Sequence, residues 1–442
     1  MPSFCVKVYG CQMNVYDADR VRTVLCSCGW EEVNDESQAD VVMITGCSVR
    51  AKAEQKVWSE LGLYDPSWQK NHRPLVALTG CIAQRIGERA LARFPYVRLV
   101  AGPRHIGLLP DAIAQIVSRP SSRISLLDTD PREFHSLELC QDVTIKRENK
   151  YKAYVTIAHG CDNFCTYCIV PYVRGRFVSR SPDEILEECR MLIADGVKEI
   201  TLLGQNVNSY GKDIGLKFSG LLREVARLEG IERVRFVTSL PQDFTEDIAD
   251  VMAEEKTVCP SLNLPIQSGS TRVLRLMNRK YTREDYFDKV RMLRERVPDV
   301  ALTTDIITGF PGETDEDFAE SLSALQEIRF DLVHSAAYSE REGTPAATMP
   351  GALPQEVRLS RLNTLNALQD SITLEINRAL EGQVFEVLAD DFAPKGGHGS
   401  LQGRTPGDKV VIFDGSTKLL GEFVKVRITR AEAWCLHGEV VQ

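Results

Sequence analysis

Short apolar runs alternate with helix-like stretches along nearly the whole chain. In residues 1–115 the runs "VKVYG" (6–10), "VVMITG" (41–46) and "LVALTG" (75–80) are separated by helix-like segments, a pattern that implies parallel strands joined by crossover helices. Each run ends in Gly-Cys, at Cys11, Cys47 and Cys81, spaced by intervals of 36 and 34 residues. Parallel strands all end at one edge of a sheet, so the loops that follow them converge on a single crevice. Three thiolates are therefore expected side by side, each Gly letting the chain turn and leaving room beside the sulfur. One buried Cys at a strand end is ordinary, but three with the same preceding residue argue for ligation.

Residues 118–150, with "SRPSSRISLLDTDPREFHS", carry Pro, Ser and charge without a period and read as a linker. A second α/β unit follows. Its runs "AYVTIA" (153–158), "EITLLG" (199–204), "VRFVTS" (234–239), "SLNLPI" (261–266), "ALTTDIIT" (301–308) and "LVHSAAYS" (332–339) alternate with amphipathic stretches, which predicts a barrel-like sheet. Ser181 as cap, Pro182 in the first turn and Glu184 completing a capping box open one helix, and Gly196 stops it. Thr314 with Asp317 gives a similar, weaker start. A long helix is predicted from Gln355 to Leu380, then "QVFEVLAD", "DKVVIFD" and "LLGEFVKVRITRAEAWCLHGEVV" as strands of a small five-stranded barrel. The fold class is thus α/β: an open parallel sheet unit (1–118), a linker (119–146), a central partial (β/α)6 barrel (147–377) and a C-terminal β-barrel (378–442).

Composition narrows the chemistry. A chain of 442 residues exceeds one hydrophobic core, and no run of about 18 apolar residues offers a membrane span. The start "MPSFCVKVYG" lacks the plan of a secretory signal, so a cytoplasmic location is expected. A net charge of −9 gives no global case for nucleic-acid binding; the basic pieces "IKRENKYK" (145–152) and "KVRITR" (425–430) read as solvated surface unless a local site uses them. In a reducing compartment thirteen cysteines point to ligation, catalysis or burial rather than disulfides.

The loop "HGCDNFCTYCIVPYVRGR" (159–176) places Cys161, Cys165 and Cys168 in the spacing CxxxCxxC with no obvious fourth ligand. Structural zinc takes four protein ligands, whereas three thiolates on a cubane cluster leave one iron open to a small molecule. Cys5, Cys26, Cys28, Cys140, Cys189, Cys259 and Cys435 read as plain packing; Cys189 shares an apolar helix face with Ile185 and Leu192.

This loop resembles that of radical S-adenosylmethionine (SAM) enzymes, and the three Gly-Cys endings resemble the methylthiotransferase branch of that family. "LLGQNVNSYG" (202–211) and "DIITGFPGET" (305–314) resemble its SAM-contacting segments, which implicates Gly204, Gln205, Asn206, Asp305, Gly309 and Gly312. "VYGCQMN", "PYVRGR" and "LPIQSGSTRVLRLMNRKYT" resemble the MiaB-type enzymes that modify tRNA more than the RimO-type branch. The tail resembles the RNA-binding TRAM domain, with "GRTPGDKVVIF" on its surface and Lys409, Lys425, Arg427 and Arg430 facing phosphates.

The resemblance implies two 4Fe-4S clusters and two SAM molecules per turnover. The Cys161/Cys165/Cys168 cluster would bind SAM and deliver one electron, giving a 5′-deoxyadenosyl radical. The Cys11/Cys47/Cys81 cluster would carry or present the sulfur. The implied reaction is methylthiolation of C2 of an N6-isopentenyladenosine beside the anticodon, in a tRNA anticodon stem-loop. An aromatic carbon of this kind offers neither an acidic proton nor a leaving group, which favours cofactor-borne radical chemistry. Implied partners are a flavodoxin- or ferredoxin-like electron donor and a sulfur or cluster donor, with a monomeric enzyme and no membrane. Methylthiolation of a threonylcarbamoyladenosine, RimO-type modification of a ribosomal-protein Asp, and a non-catalytic iron–sulfur RNA-binding protein stay open as alternatives.

Overall fold

The three Gly-Cys runs become neighbouring strands of one sheet. The computed structural model describes residues 2–49, 51–65, 68, 70, 73–128, 145–394 and 399–441. Its first unit contains β1 (Ser3–Tyr9), β2 (Glu31–Glu32), β3 (Val41–Gly46), β4 (Leu75–Thr79), β5 (Val97–Ala101) and β6 (Ile124–Leu126), all parallel, in the order β2-β1-β3-β4-β5-β6. Strands β3 and β4 are buried throughout, as expected where helices cover both faces. Val42 and Ile44 pack with Val57, Leu61 and Ile82 on one side, while Val41 and Met43 pack with Val21, Leu25 and Ile113 on the other. The alternation is the period of two of a pleated strand.

The linker expected over 119–146 is corrected at its start: β6 pairs with β5, so the sheet continues into it. Three residues among Pro, Ser and Arg are too few to show a period. Residues 129–144, with the rest of that expectation and Cys140, lie outside the described residues.

The second unit has β7 (Lys152–Thr156), a small antiparallel ladder of β8 (Ala158–His159) and β9 (Val178–Ser179), then β10 (Glu199–Leu203), β11 (Arg233–Phe236), β12 (Ser261–Asn263), β13 (Ala301–Thr308) and β14 (Leu332–Ala337). Parallel sheets β7-β10-β11 and β12-β13-β14 meet at a bridge between Val234 and Val258. Six strands therefore follow chain order around an open arc, the barrel-like sheet that the sequence predicts. Cys189 is fully buried with Ile185 and Leu192 in the helix layer outside it.

Two helix starts exchange their expected standing. Ser181 is the N-cap before Pro182, but its side chain makes no capping hydrogen bond, and Glu184 leans toward Arg180. Thr314 closes a full capping box, its hydroxyl accepting from the Asp317 amide at 3.3 Å while the Asp317 carboxylate accepts from the Thr314 amide at 2.8 Å. Gly196 ends the first of these helices with φ +90°, as read.

The helix Gln355–Arg378 leads into a closed barrel of β15 (Val384–Phe392), β16 (Ser400–Arg404), β17 (Val410–Asp414), β18 (Phe423–Ala431) and β19 (Leu436–Val440), ordered β15-β16-β17-β19-β18. Its β16–β17 turn docks onto the amino ends of the central strands. Arg235 of β11 donates to the carbonyls of Thr405 and Pro406, each at 2.8 Å, and to the Ser261 hydroxyl of β12 at 3.0 Å. Arg233 donates to the carbonyls of Arg404 and Glu386, and Lys409 pairs with Asp331, just before β14, at 2.6 Å. The segment read as barrel surface is thus an internal joint. No helix among the described residues is long and apolar enough to cross a membrane.

Candidate functional site

Cys11 caps the helix Gln12–Ser27, Cys47 follows β3, and Cys81 opens the helix Cys81–Arg93. Two of the three thus sit at helix N-termini, where the backbone field favours a thiolate. The glycines before them serve two purposes. Gly80 has φ +80° and makes the turn. A Cβ on Gly10 would lie 2.2 Å from Asn14 Oδ1, and one on Gly80 would lie 3.0 Å from Asn14 Nδ2. The room beside the sulfurs is therefore taken by a fully buried asparagine. Asn14 accepts from Cys11 N at 3.4 Å and Cys11 Sγ at 3.5 Å, and donates to the Gly46 carbonyl at 3.3 Å. It ties the three strand ends together, a role that "QMN" does not reveal in sequence.

The second triad sits on the loop between β8 and the helix Val170–Arg174. Asn163 Nδ2 donates to Cys161 Sγ at 3.2 Å, and Gln242 holds Asn163 Oδ1 at 2.7 Å. Thr166 binds the carbonyls of Met277 and Leu276 through its amide and hydroxyl, and Asn278 reaches the Phe164 carbonyl at 3.0 Å. Phe164, Thr238 and Gln267 have positive φ of 45°, 69° and 70°. All three lie on loops beyond the carboxyl ends of strands, and such strain gathers at functional sites.

Arg174 ties the segment that follows the second triad to the first. Arg174, nearly fully buried, donates from Nε to Cys81 Sγ at 3.0 Å and from Nη2 to Asp17 at 2.6 Å. Burial opposes its charge, but Asp17, Cys81 and Cys11 outweigh it and hold it protonated. One helix of five residues, roughly 7 Å of rise, separates it from the CxxxCxxC loop. Met13, Tyr16 and Leu203 seal the seam between the units. The contact of Arg174, within "PYVRGR", with Cys81 is visible only in three dimensions.

Hydrogen bonding with Cys47 lowers the Cys11 thiol, while the same contact and burial raise Cys47. Burial raises Cys81 and Cys161 and lifts Cys168 to about 12. Thiols pushed toward neutrality by burial are stabilised as thiolates by a cationic partner. Neither triad closes to single-ion spacing: among the described residues, the His/Cys/carboxylate triad whose donor atoms fall within 4.8 Å of one another lies elsewhere. Three thiols in each set match the donor chemistry of an iron–sulfur cluster.

At the carboxyl ends of β10 and β11, both side-chain amide atoms of Gln205 and Asn208, Asn206 Oδ1 and Ser239 Oγ are buried without a hydrogen-bond partner. Such orphans cost free energy unless something polar fills the crevice, which fits SAM. Gly204 ends this strand with little space, Val207 Cγ1 lying 3.3 Å from its would-be Cβ. Asn206 Nδ2 is already held by Ser209 and Asp243 at 2.6 Å each. Half-buried Asp305 accepts from Asn263 at 3.1 Å.

Gly309 and Gly312 lie where the backbone itself is crowded or sharply turned. A Cβ on Gly309 would meet Arg358 at 2.4 Å, whereas one on Gly312 would make ordinary contact with Leu276 at 3.6 Å, so there the φ of +80° is what requires glycine. Glu313 takes the amides of Gly309 and Phe310, so these glycines shape a loop. Lys409 leaves the phosphate-facing set, being bound to Asp331 and Asn377; Lys425, Arg427 and Arg430 remain exposed. In the other basic piece, Arg147 pairs with Asp195 and Lys152 with Asp390.

The chain matches the radical SAM superfamily over residues 155–325, the uncharacterized protein family UPF0004 over 3–102 and the TRAM domain over 378–441. It is 44% identical to a tRNA-2-methylthio-N(6)-dimethylallyladenosine synthase of Acetivibrio thermocellus, covering 99% of this chain and 91% of that protein. Identity to the enzyme of the same name from Aquifex aeolicus is 42%, over 99% and 98%. Among solved structures, the radical SAM methyltransferase TsrM from Kitasatospora setae, with cobalamin and a [4Fe-4S] cluster bound, superposes with TM-score 0.59 at 17% identity, over 78% of this chain and 74% of that one. The cobalamin-dependent radical enzyme OxsB gives 0.52 at 12%, over 84% and 56%; both likenesses speak to fold alone. The radical SAM match implies a 4Fe-4S cluster and SAM, and the TRAM match with tRNA-modifying relatives implies a tRNA substrate. On this evidence the chain belongs to the tRNA-2-methylthio-N(6)-dimethylallyladenosine synthases, a family of radical SAM methylthiotransferases.

Proposed function

We propose that this chain installs a methylthio group at C2 of N6-isopentenyladenosine in the anticodon stem-loop of tRNA. Cys161, Cys165 and Cys168 would hold one 4Fe-4S cluster and Cys11, Cys47 and Cys81 a second, each with one iron left open. The observation that carries the reading is Arg174: a residue six positions beyond the CxxxCxxC loop bonds a cysteine of the other triad, so one short segment fixes the two sites against each other. When bound, the clusters and two SAM molecules supply one-electron chemistry on an unactivated C–H bond and the inserted sulfur.

The protein's own residues bind, orient and exclude water. Gln205, Asn208 and Ser239 offer free polar atoms to SAM, with Gly204, Asn206, Asp305, Gly309 and Gly312 shaping the crevice around it. Phe164 and Tyr172 are exposed and meet edge to face at 6.3 Å, with the Arg176 guanidinium over the Phe164 ring. They form a platform on which a base can stack. Lys425, Arg427 and Arg430 supply phosphate contacts. The enzyme acts as a cytoplasmic monomer with a flavodoxin- or ferredoxin-like reductant and a separate sulfur or cluster donor. Its functional units run 1–118, 147–377 and 378–442, amended by the strand at Ile124–Leu126.

The test is anaerobic reconstitution followed by incubation with SAM, a reductant and tRNA carrying N6-isopentenyladenosine, with nucleoside mass spectrometry. A methylthio gain on that nucleoside supports the reading. A gain only on threonylcarbamoyladenosine, or only on a ribosomal protein, replaces its substrate, and iron with RNA affinity but no SAM cleavage removes the enzyme altogether.

A further inference from the structure

Cys435 was read as plain packing, yet it lies in the turn between β18 and β19 beside two other donors. Its Sγ is 3.6 Å from His437 Nε2 and 3.7 Å from Glu432 Oε2, and His437 Nε2 is 3.3 Å from Glu432 Oε1. Zinc bonds of about 2.3 Å to sulfur, 2.05 Å to nitrogen and 2.1 Å to oxygen, set at tetrahedral angles, place those pairs about 3.6, 3.6 and 3.4 Å apart. The sulfur and the imidazole nitrogen already stand at such a separation, and each has one oxygen of the Glu432 carboxylate within 3.7 Å, the sulfur Oε2 and the imidazole Oε1. One donor atom from each of the three residues lies within 4.8 Å of the other two.

The turn is also held in place. Glu432 N donates to the Cys435 carbonyl at 2.9 Å, and buried Asn377 donates to the carbonyls of Glu432 and Ala433 at 2.8 and 3.3 Å. Glu381 accepts from the Ala431 amide at 2.9 Å. Arg430 pairs with Glu432 Oε1 at 2.9 Å, which leaves Oε2 as the oxygen facing the cysteine. A thiolate, an imidazole and a carboxylate suit zinc better than magnesium or calcium.

We propose that Glu432, Cys435 and His437 bind one zinc ion at this hairpin of the C-terminal barrel, with the fourth position open to water. The site is separate from both cysteine triads.

The probe is zinc added to the full-length, iron-loaded holoenzyme. Cys28, exposed on the first unit, is the internal reference for alkylation by iodoacetamide, read by peptide mass spectrometry. Zinc is expected to slow alkylation of Cys435 about tenfold or more while leaving Cys28 unchanged. Metal analysis should find about one zinc per chain that disappears in His437→Ala and in Glu432→Ala with iron content unaltered. Equal responses of Cys435 and Cys28, retention of the zinc equivalent in both variants, or iron held there in place of zinc would overturn the proposal.

Discussion

Two triads of cysteines serve one proposed reaction, and the chain builds them in opposite ways. Cys161, Cys165 and Cys168 come from a single loop of eight residues, whereas Cys11, Cys47 and Cys81 come from three strand ends that only the finished sheet brings together. The local triad keeps two half-exposed members, Cys161 and Cys168. The distributed triad buries Cys47 and Cys81 to 1% and 3% exposure. Each has a buried arginine, used differently: Arg174 touches Cys81 directly, while Arg279 stands over Tyr167 at 5.9 Å and acts on Cys161 and Cys168 through its field. On the proposed reaction, the more accessible loop suits exchange of small molecules, and the more buried sheet edge, where only Cys11 is partly exposed, suits holding the sulfur.

The largest effect separates the two sites. Replacing Cys161, Cys165 and Cys168 by Ala should abolish both 5′-deoxyadenosine formation and methylthiolation, and iron should fall from about eight to about four per chain. Replacing Cys11, Cys47 and Cys81 should remove the same iron and all methylthiolation while 5′-deoxyadenosine formation persists. Loss of 5′-deoxyadenosine in both variants would erase the division of labour.

Next comes Arg174→Leu. It leaves Asp17 buried without its partner, at a cost of about 3–5 kcal/mol in thermal unfolding. Iron at the distributed site should be held about 10–100-fold less tightly while the local cluster keeps its electron paramagnetic signal. Equal loss from both sites would mean that the arginine supports the fold rather than one triad.

Asn14→Ala should cost about 1–3 kcal/mol, because the Gly46 carbonyl and the Cys11 amide lose a buried partner. The smallest effect is expected for Asn163→Ala, which removes a neutral donor from Cys161 in a half-exposed loop and should cost about 1 kcal/mol. An Asn163 variant that destabilised more than the Asn14 variant, by denaturant titration, would reverse the assignment of closed and open sites.

Sequence made the local triad legible outright, since its spacing is its geometry. The distributed triad was legible through the repeated Gly-Cys ending, because parallel strands share an edge whatever their order. Asn14 and Arg174 were not, since each acts on residues 32 and 93 positions away and nothing in their neighbourhoods records that. Capping was misjudged for a related reason: Ser181 has the right type, but only the folded backbone decides whether a hydroxyl reaches an amide. Lys409 carries a charge that sequence assigns to RNA and the fold spends on Asp331. Cys435 shows the converse, an unremarkable residue that acquires two possible co-ligands once a hairpin turns.

The docked turn at 404–409 touches β11, the residue just before β14 and Ala301 at the start of β13. It covers the amino ends of the central strands, opposite the carboxyl ends beyond which the CxxxCxxC loop lies. On the proposed reaction, SAM and the RNA loop therefore approach from the same side, away from the C-terminal barrel's docked turn.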